Sequence, residues 1–128
     1  MQVVWYPHAE KQWQNAMDYC EEQFGMRVAD RFYEKVLHLN ALLATNPFLG
    51  SVEERLNEQS SLIYRSIVVT QNYKLIYRVD EPTESLYVVA LWDCRTNPVR
   101  LYSEIDNDWP ITMVNEEMVP YGKKEINQ

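Results

Sequence analysis

The sequence predicts an α+β domain: an N-terminal strand and an αα-hairpin packed on a small antiparallel β-sheet. Three observations predict it. Two helical apolar stripes follow one another across Gly25, three strand-like runs lie close together between Tyr64 and Trp92, and the turns between those runs are too short for crossovers.

Val3-Val4-Trp5 reads as a short strand, and Pro7 suits the first turn of a helix, where its missing N–H would be unsatisfied anyway. The first helix runs to about Phe24. Its apolar positions Ala9, Trp13, Ala16, Cys20 and Phe24 recur three or four apart and so share one stripe. Gly25 is a natural stop, able to take the left-handed conformation of a helix C-cap. The second helix places Ala29, Phe32, Val36, Leu39 and Leu43 on its own stripe. Asn46-Pro47 ends it, because a residue before proline is pushed out of the α region. The stretch from Phe48 to Ser61 reads as a connection anchored by Val52 and Leu56.

The strands then follow in close order. Tyr64 to Thr70 turns at Gln71-Asn72 into Tyr73 to Val79, and Asp80 to Glu84, with Pro82, turns into Leu86 to Trp92. Alternation on the middle strand sends Leu75, Tyr77 and Val79 to one face and Lys74, Ile76 and Arg78 to the other. The first set suits the face under the helices, so Lys74 and Arg78 are expected outside, where a sheet can hold an anion site in fixed geometry.

At 128 residues, 46% of them hydrophobic and only three of them glycine, the chain fits one compact domain. Residues 1–102 form the expected domain and residues 103–128 a C-terminal extension. No run approaches the roughly 20 apolar residues of a membrane span, and no secretory signal is visible, so the expected compartment is the cytoplasm and no membrane is a partner. Cys20 and Cys94 are far apart and lack metal-site spacing, so no metal and no cofactor is expected.

A net charge of −7 argues against sequence-blind nucleic-acid binding but leaves room for a local basic patch. Arg55, Arg65, Lys74, Arg78, Arg95 and Arg100 bring half of the cations into the central region. Glu104, Asp106, Asp108, Glu116 and Glu117 make the tail acidic. The tail also carries Ile105, Trp109, Ile111, Met113 and Val114. Three placements are open to it: against the domain, over the cationic face, or between two copies in a homodimer.

Several segments together carry a resemblance. The Trp/Ala/Tyr-spaced first helix, the Phe-Gly turn into an Ala-x-x-Phe helix and the Asn-Pro-x-x-Gly step come first. They are followed by Tyr64-Arg65, then Asn72-Tyr73-Lys74-Leu75-Ile76-Tyr77-Arg78-Val79, then Leu91-Trp92-Asp93-x-Arg95-x-Asn97-Pro98. In that order and spacing, from Val3 to Tyr102, they resemble the RelE/ParE superfamily of toxins, known from bacterial toxin-antitoxin (plasmid stabilization) systems.

The resemblance implies a small toxin held inactive by a cognate antitoxin. It divides between ribosome-dependent endoribonucleases that stop translation by cutting mRNA and proteins that poison DNA gyrase without a cleavage activity of their own. The ribonuclease reading is the first expectation; a ParE-like gyrase inhibitor, or a non-toxic antitoxin-binding module, is the alternative. The cleavage would be metal-independent attack of a ribose 2′-hydroxyl on its own phosphate, which needs a base, a stabilised phosphorane and a protonated leaving oxygen.

By position Arg65, Lys74 and Arg95 are similar to the cationic residues of the cutting members. Tyr102 falls one residue out of register from their C-terminal tyrosine. Arg78, Asn97 and Arg100 are the expected RNA- or phosphate-binding residues. A guanidinium clasps two phosphate oxygens and does not titrate, which suits Arg65 and Arg95 to charge stabilisation. Lys74 serves as a base only beside other cations. Ile67 stands where several cutting members carry a second basic residue, and neither His8 nor His38 lies in the C-terminal segment. Arg65 also has a structural reading, pairing with Glu34 or Glu54, and Asp93 and Asn97 read as shaping the turn that presents Arg95.

Overall fold

The computed structural model describes residues 1–54, 56 and 62–96. Asn97, Arg100 and Tyr102, and the whole extension 103–128, lie outside the described residues. The elements are β1 (Gln2–Trp5), α1 (Pro7–Phe24), α2 (Met26–Thr45), β2 (Ser51–Val52), β3 (Arg65–Thr70), β4 (Tyr73–Asp80) and β5 (Ser85–Asp93).

Pro7 opens α1, and the first helical hydrogen bond runs from Glu10 N–H to the Tyr6 carbonyl at 2.9 Å. Gly25 separates the helices, but not as a left-handed cap. Its φ of 92° and ψ of 169° lie in a region that glycine alone occupies readily, and this lets its N–H close α1 on Glu21 O while its own C=O opens α2 through Ala29 N–H. The α2 stripe is buried along its whole length, as are Ala9, Ala16 and Cys20 of α1. Phe24 is not part of that core: it is 62% exposed at the end of α1.

The five strands are ordered β1-β5-β4-β3-β2. The β3-β4-β5 meander is antiparallel as its short turns require, and β2 joins antiparallel to β3. β1 pairs in parallel with β5, Gln2 opposite Ser85 through Trp5 opposite Val88, so the sheet is mixed and not purely antiparallel. Parallel neighbours need a long crossover, which the two helices and the first meander strands supply together.

Along β5 one residue, Val89, is extra: Tyr77 faces Val88 and Ile76 faces Ala90. This bulge keeps Leu86, Val88 and Leu91 turned toward the helices while the strand bends. Trp5 and Tyr73 also belong to the helix side, since Trp5 stacks on Trp13 at 5.0 Å between centroids and Tyr73 meets Phe32 at 5.3 Å. Where β1 ends, Gln12 of α1 continues its role: Gln12 Oε1 accepts the Leu91 N–H at 2.9 Å, satisfying a strand donor that has no strand beside it.

Candidate functional site

Arg65, Lys74 and Arg95 do not converge. Arg65 lies opposite Tyr77 across β3 and β4 and so shares its face. Lys74 is three residues from Tyr77 on β4 and points the other way. Arg95 follows the end of β5, at the helix side of the sheet.

Each of the three is engaged by the protein itself. Arg65 Nη1 donates to the Gly50 carbonyl at 2.8 Å and its guanidinium lies 5.1 Å from the Phe48 ring centroid, so it pins the chain leaving α2; its acceptors are the Gly50 and Phe48 backbone carbonyls, not Glu34 or Glu54. At the same junction the Tyr77 hydroxyl accepts the Gly50 N–H at 2.8 Å. Burial raises the Tyr77 phenol above its ordinary value, with the Gly50 hydrogen bond opposing. Lys74 Nζ stands 2.7 Å from Glu53 Oε2, which also accepts from Ser66 Oγ at 2.8 Å. Its neighbour is an acid and not the cations that a base would need.

Arg95 is gripped by Asp93. Its Nε donates to Oδ1 and its Nη2 to Oδ2, both at 2.9 Å, and Asp93 Oδ1 also accepts the Arg95 backbone N–H. This is the turn chemistry by which an Asp side chain organises the two residues after it. The guanidinium's hydrogen bonds hold the Asp93 carboxyl below its ordinary value, and Asp93 in turn holds Arg95 firmly protonated.

Arg78 corrects the reading from alternation. The strand does turn it away from the helices, but it is only 7% exposed, and its guanidinium lies 4.6 Å above the Tyr87 ring. Alternation fixes which face a side chain takes and says nothing about what covers that face. Asn97, Arg100 and Tyr102 fall outside the described residues, so their part in any site is not described.

What the fold does assemble is a cleft of about 310 Å³ where the ends of α1 and α2 meet the β3–β4 turn, lined among others by Tyr19, Phe24, Phe32, Tyr73 and Arg95. Arg31 and Lys35, one helical turn apart on α2, add two further cations to its wall. Arg95 sits 5.7 Å and 5.8 Å from the Tyr19 and Tyr73 ring centroids, which gives the cleft a cation fixed between aromatic faces. Burial raises the Tyr73 phenol, and the Asp93 charge adds to the effect. The Cys20 thiol in the wall is raised by burial, with Arg95 opposing.

Sequence reasoning singled out Arg95 but missed Arg31, Lys35, Tyr19 and Tyr73 as its neighbours. The signal was present in part: Arg31 and Lys35 flank the buried Phe32 on one helical turn, and Phe24, at the hairpin tip, meets Tyr19 edge-on with 6.3 Å between ring centroids. Among the described residues no group of three or more metal-ligating side chains forms, and no helix is long and apolar enough to cross a membrane.

Comparison with known proteins follows the same outline. Residues 3–98 match the family model described as the ParE toxin of the type II toxin-antitoxin system, parDE. No curated protein matches the chain. Among solved structures it is similar to a YoeB/ParE toxin from Agrobacterium tumefaciens, with 19% sequence identity over 73% of this chain and 98% of that one and a TM-score of 0.48. The family match spans the strand, the helical hairpin, the meander and the Arg95 turn just described, and the chain belongs to the ParE toxin family of type II toxin-antitoxin systems.

Proposed function

We propose that this toxin acts by binding and inhibiting DNA gyrase and does not cut RNA. The observation that carries the reading is the dispersal of the three described cations expected to catalyse. Cleavage by 2′-hydroxyl attack needs a base and charge stabilisers within hydrogen-bond reach of one phosphate. Arg65 and Lys74 point to opposite faces of the sheet, and each of the three is engaged by a protein acceptor.

The cleft favours the same reading. Aromatic side chains beside Arg and Lys, with an exposed Phe at the rim, are the composition of a protein-binding hot spot. Family membership implies an antitoxin partner, whose task would be to keep the toxin from its target.

The test is supercoiling of relaxed plasmid by purified gyrase in the presence of the chain. Loss of supercoiled product in proportion to added toxin supports the reading. Unimpaired supercoiling, together with cuts at translated codons of an mRNA in a reconstituted translation reaction, overturns it.

A further inference from the structure

Three cations of α2 stand apart from those that hold the fold. Arg27, Arg31 and Lys35 are spaced four residues apart, so they share one stripe of the helix at steps of about 6 Å. All three are exposed, and among the described residues none of them has a hydrogen bond or an ion pair. Arg65, Lys74 and Arg95, by contrast, all have acceptors within the protein. Asp30 and Glu34 precede Arg31 and Lys35 by one residue, which turns them about 100° round the helix, and no ion pair joins them to the stripe. Like charges four residues apart weaken a helix, so the stripe does not serve the element that carries it.

The stripe runs beside an apolar opening. Arg31 and Lys35 line the cleft at the hairpin tip together with Arg95, and Val28 and Phe32 give the same wall its apolar surface. Among the described residues no carboxylate lines that cleft. Next to it Phe24 and Met26, either side of Gly25, are each 62% exposed. A cationic wall without an acid, beside an apolar opening in a chain of net charge −7, is complementary to one chemistry: a large apolar side chain flanked by carboxylates.

We propose that the cleft takes an acidic segment of gyrase. A leucine or aromatic side chain of that segment enters the cleft beside Phe24 and Phe32, and its carboxylates meet Arg31 and Lys35, with Arg27 extending the same row. The inference rests on the gyrase reading above and names the chemistry of the surface that the toxin recognises. A polypeptide matches the step of the stripe, since carboxylates four residues apart on a helix, or two apart on a strand, recur every 6–7 Å or so. Phosphates would meet the same cations, but a nucleic acid also brings its charge to the rest of an acidic surface. A short acidic segment brings its few charges only to the stripe, and its apolar side chain uses the opening that the cations surround.

The experiment titrates purified gyrase, acting on relaxed plasmid, with the full-length wild type and with a full-length Arg31→Glu, Lys35→Glu variant. Both positions are exposed and without partners, so the variant is expected to fold, which urea denaturation checks. The expected result is that half-inhibition of supercoiling needs at least about tenfold more variant, and that added salt weakens the wild type but not the variant. Equal potency of the two overturns the proposal and leaves the gyrase reading standing. A wild type that does not inhibit overturns that reading, and the proposal with it. If the variant fails to fold, a benzophenone side chain at the exposed position 24 of the otherwise native chain decides. Photocrosslinks to a gyrase peptide with Asp or Glu beside a leucine or aromatic residue support the proposal; crosslinks to the plasmid, or to gyrase peptides without those residues, overturn it.

Discussion

Arg65 illustrates how a cation on a strand becomes structural. Its bond to the Gly50 carbonyl and its stacking on Phe48 fix the exit of α2, so Arg65→Ala is expected to lower unfolding free energy by about 1–2 kcal/mol, read from urea denaturation. Any loss of toxicity should track that loss of fold. Lys74→Met separates the two functional readings more cleanly, because Lys74 sits on Glu53 and away from the cleft: toxicity in an induced-growth assay is expected to survive it. Arg95 and Asp93 predict a pH effect. The Asp93 carboxyl is held below its ordinary value in the folded state, so its contribution is complete above the unfolded carboxylate range, near pH ~4, and is lost as pH falls through the folded value. Wild type should therefore melt slightly higher than Asp93→Asn at neutral pH, and the gap should close in acid. Arg95 was legible in the sequence as an important cation because the Asp-x-Arg turn is local. Its aromatic neighbours were not, since Tyr19 and Tyr73 meet it only after the hairpin folds onto the sheet.

At the scale of elements, the helices were readable because a stripe three or four residues apart has one physical solution, burial against a common partner. The meander was readable because short turns force antiparallel pairing. β1 was visible as a strand, but its parallel partner was not: a four-residue edge strand carries too little pattern to choose between neighbours. β2, at two residues, carried none. The two described glycines near element ends make a contrasting test. A Cβ at Gly50 would stand 2.6 Å from the Ser66 carbonyl oxygen and 2.8 Å from the Tyr77 hydroxyl, so Gly50→Ala should cost about 1–3 kcal/mol by overpacking and disturb the Arg65 junction. At Gly25 nothing lies within 4 Å, and Gly25→Ala should cost a comparable ~1–3 kcal/mol through backbone strain alone. Thermal denaturation gives the size of each loss. Tyr77 fluorescence or exchange at the Gly50 amide distinguishes the causes, changing only in the first variant.

For the whole molecule, charge balance and cation placement point in different directions, and geometry decides between them. The acidic chain keeps a basic, aromatic cleft at the tip of its helical hairpin, while Arg78, expected on an open sheet face, is only 7% exposed. Strand alternation assigned Arg78 to its face correctly and left its exposure open. On the proposed reading the cleft is what meets the target, while Arg65, Lys74 and Arg95 are engaged by acceptors of the protein itself. The most direct test is pulse labelling of cells after induction of the toxin without its antitoxin, following thymidine and leucine incorporation side by side. DNA synthesis failing first, with protein synthesis continuing and mRNA intact, is the result the account predicts; protein synthesis failing first, with mRNA cut at translated codons, would contradict it.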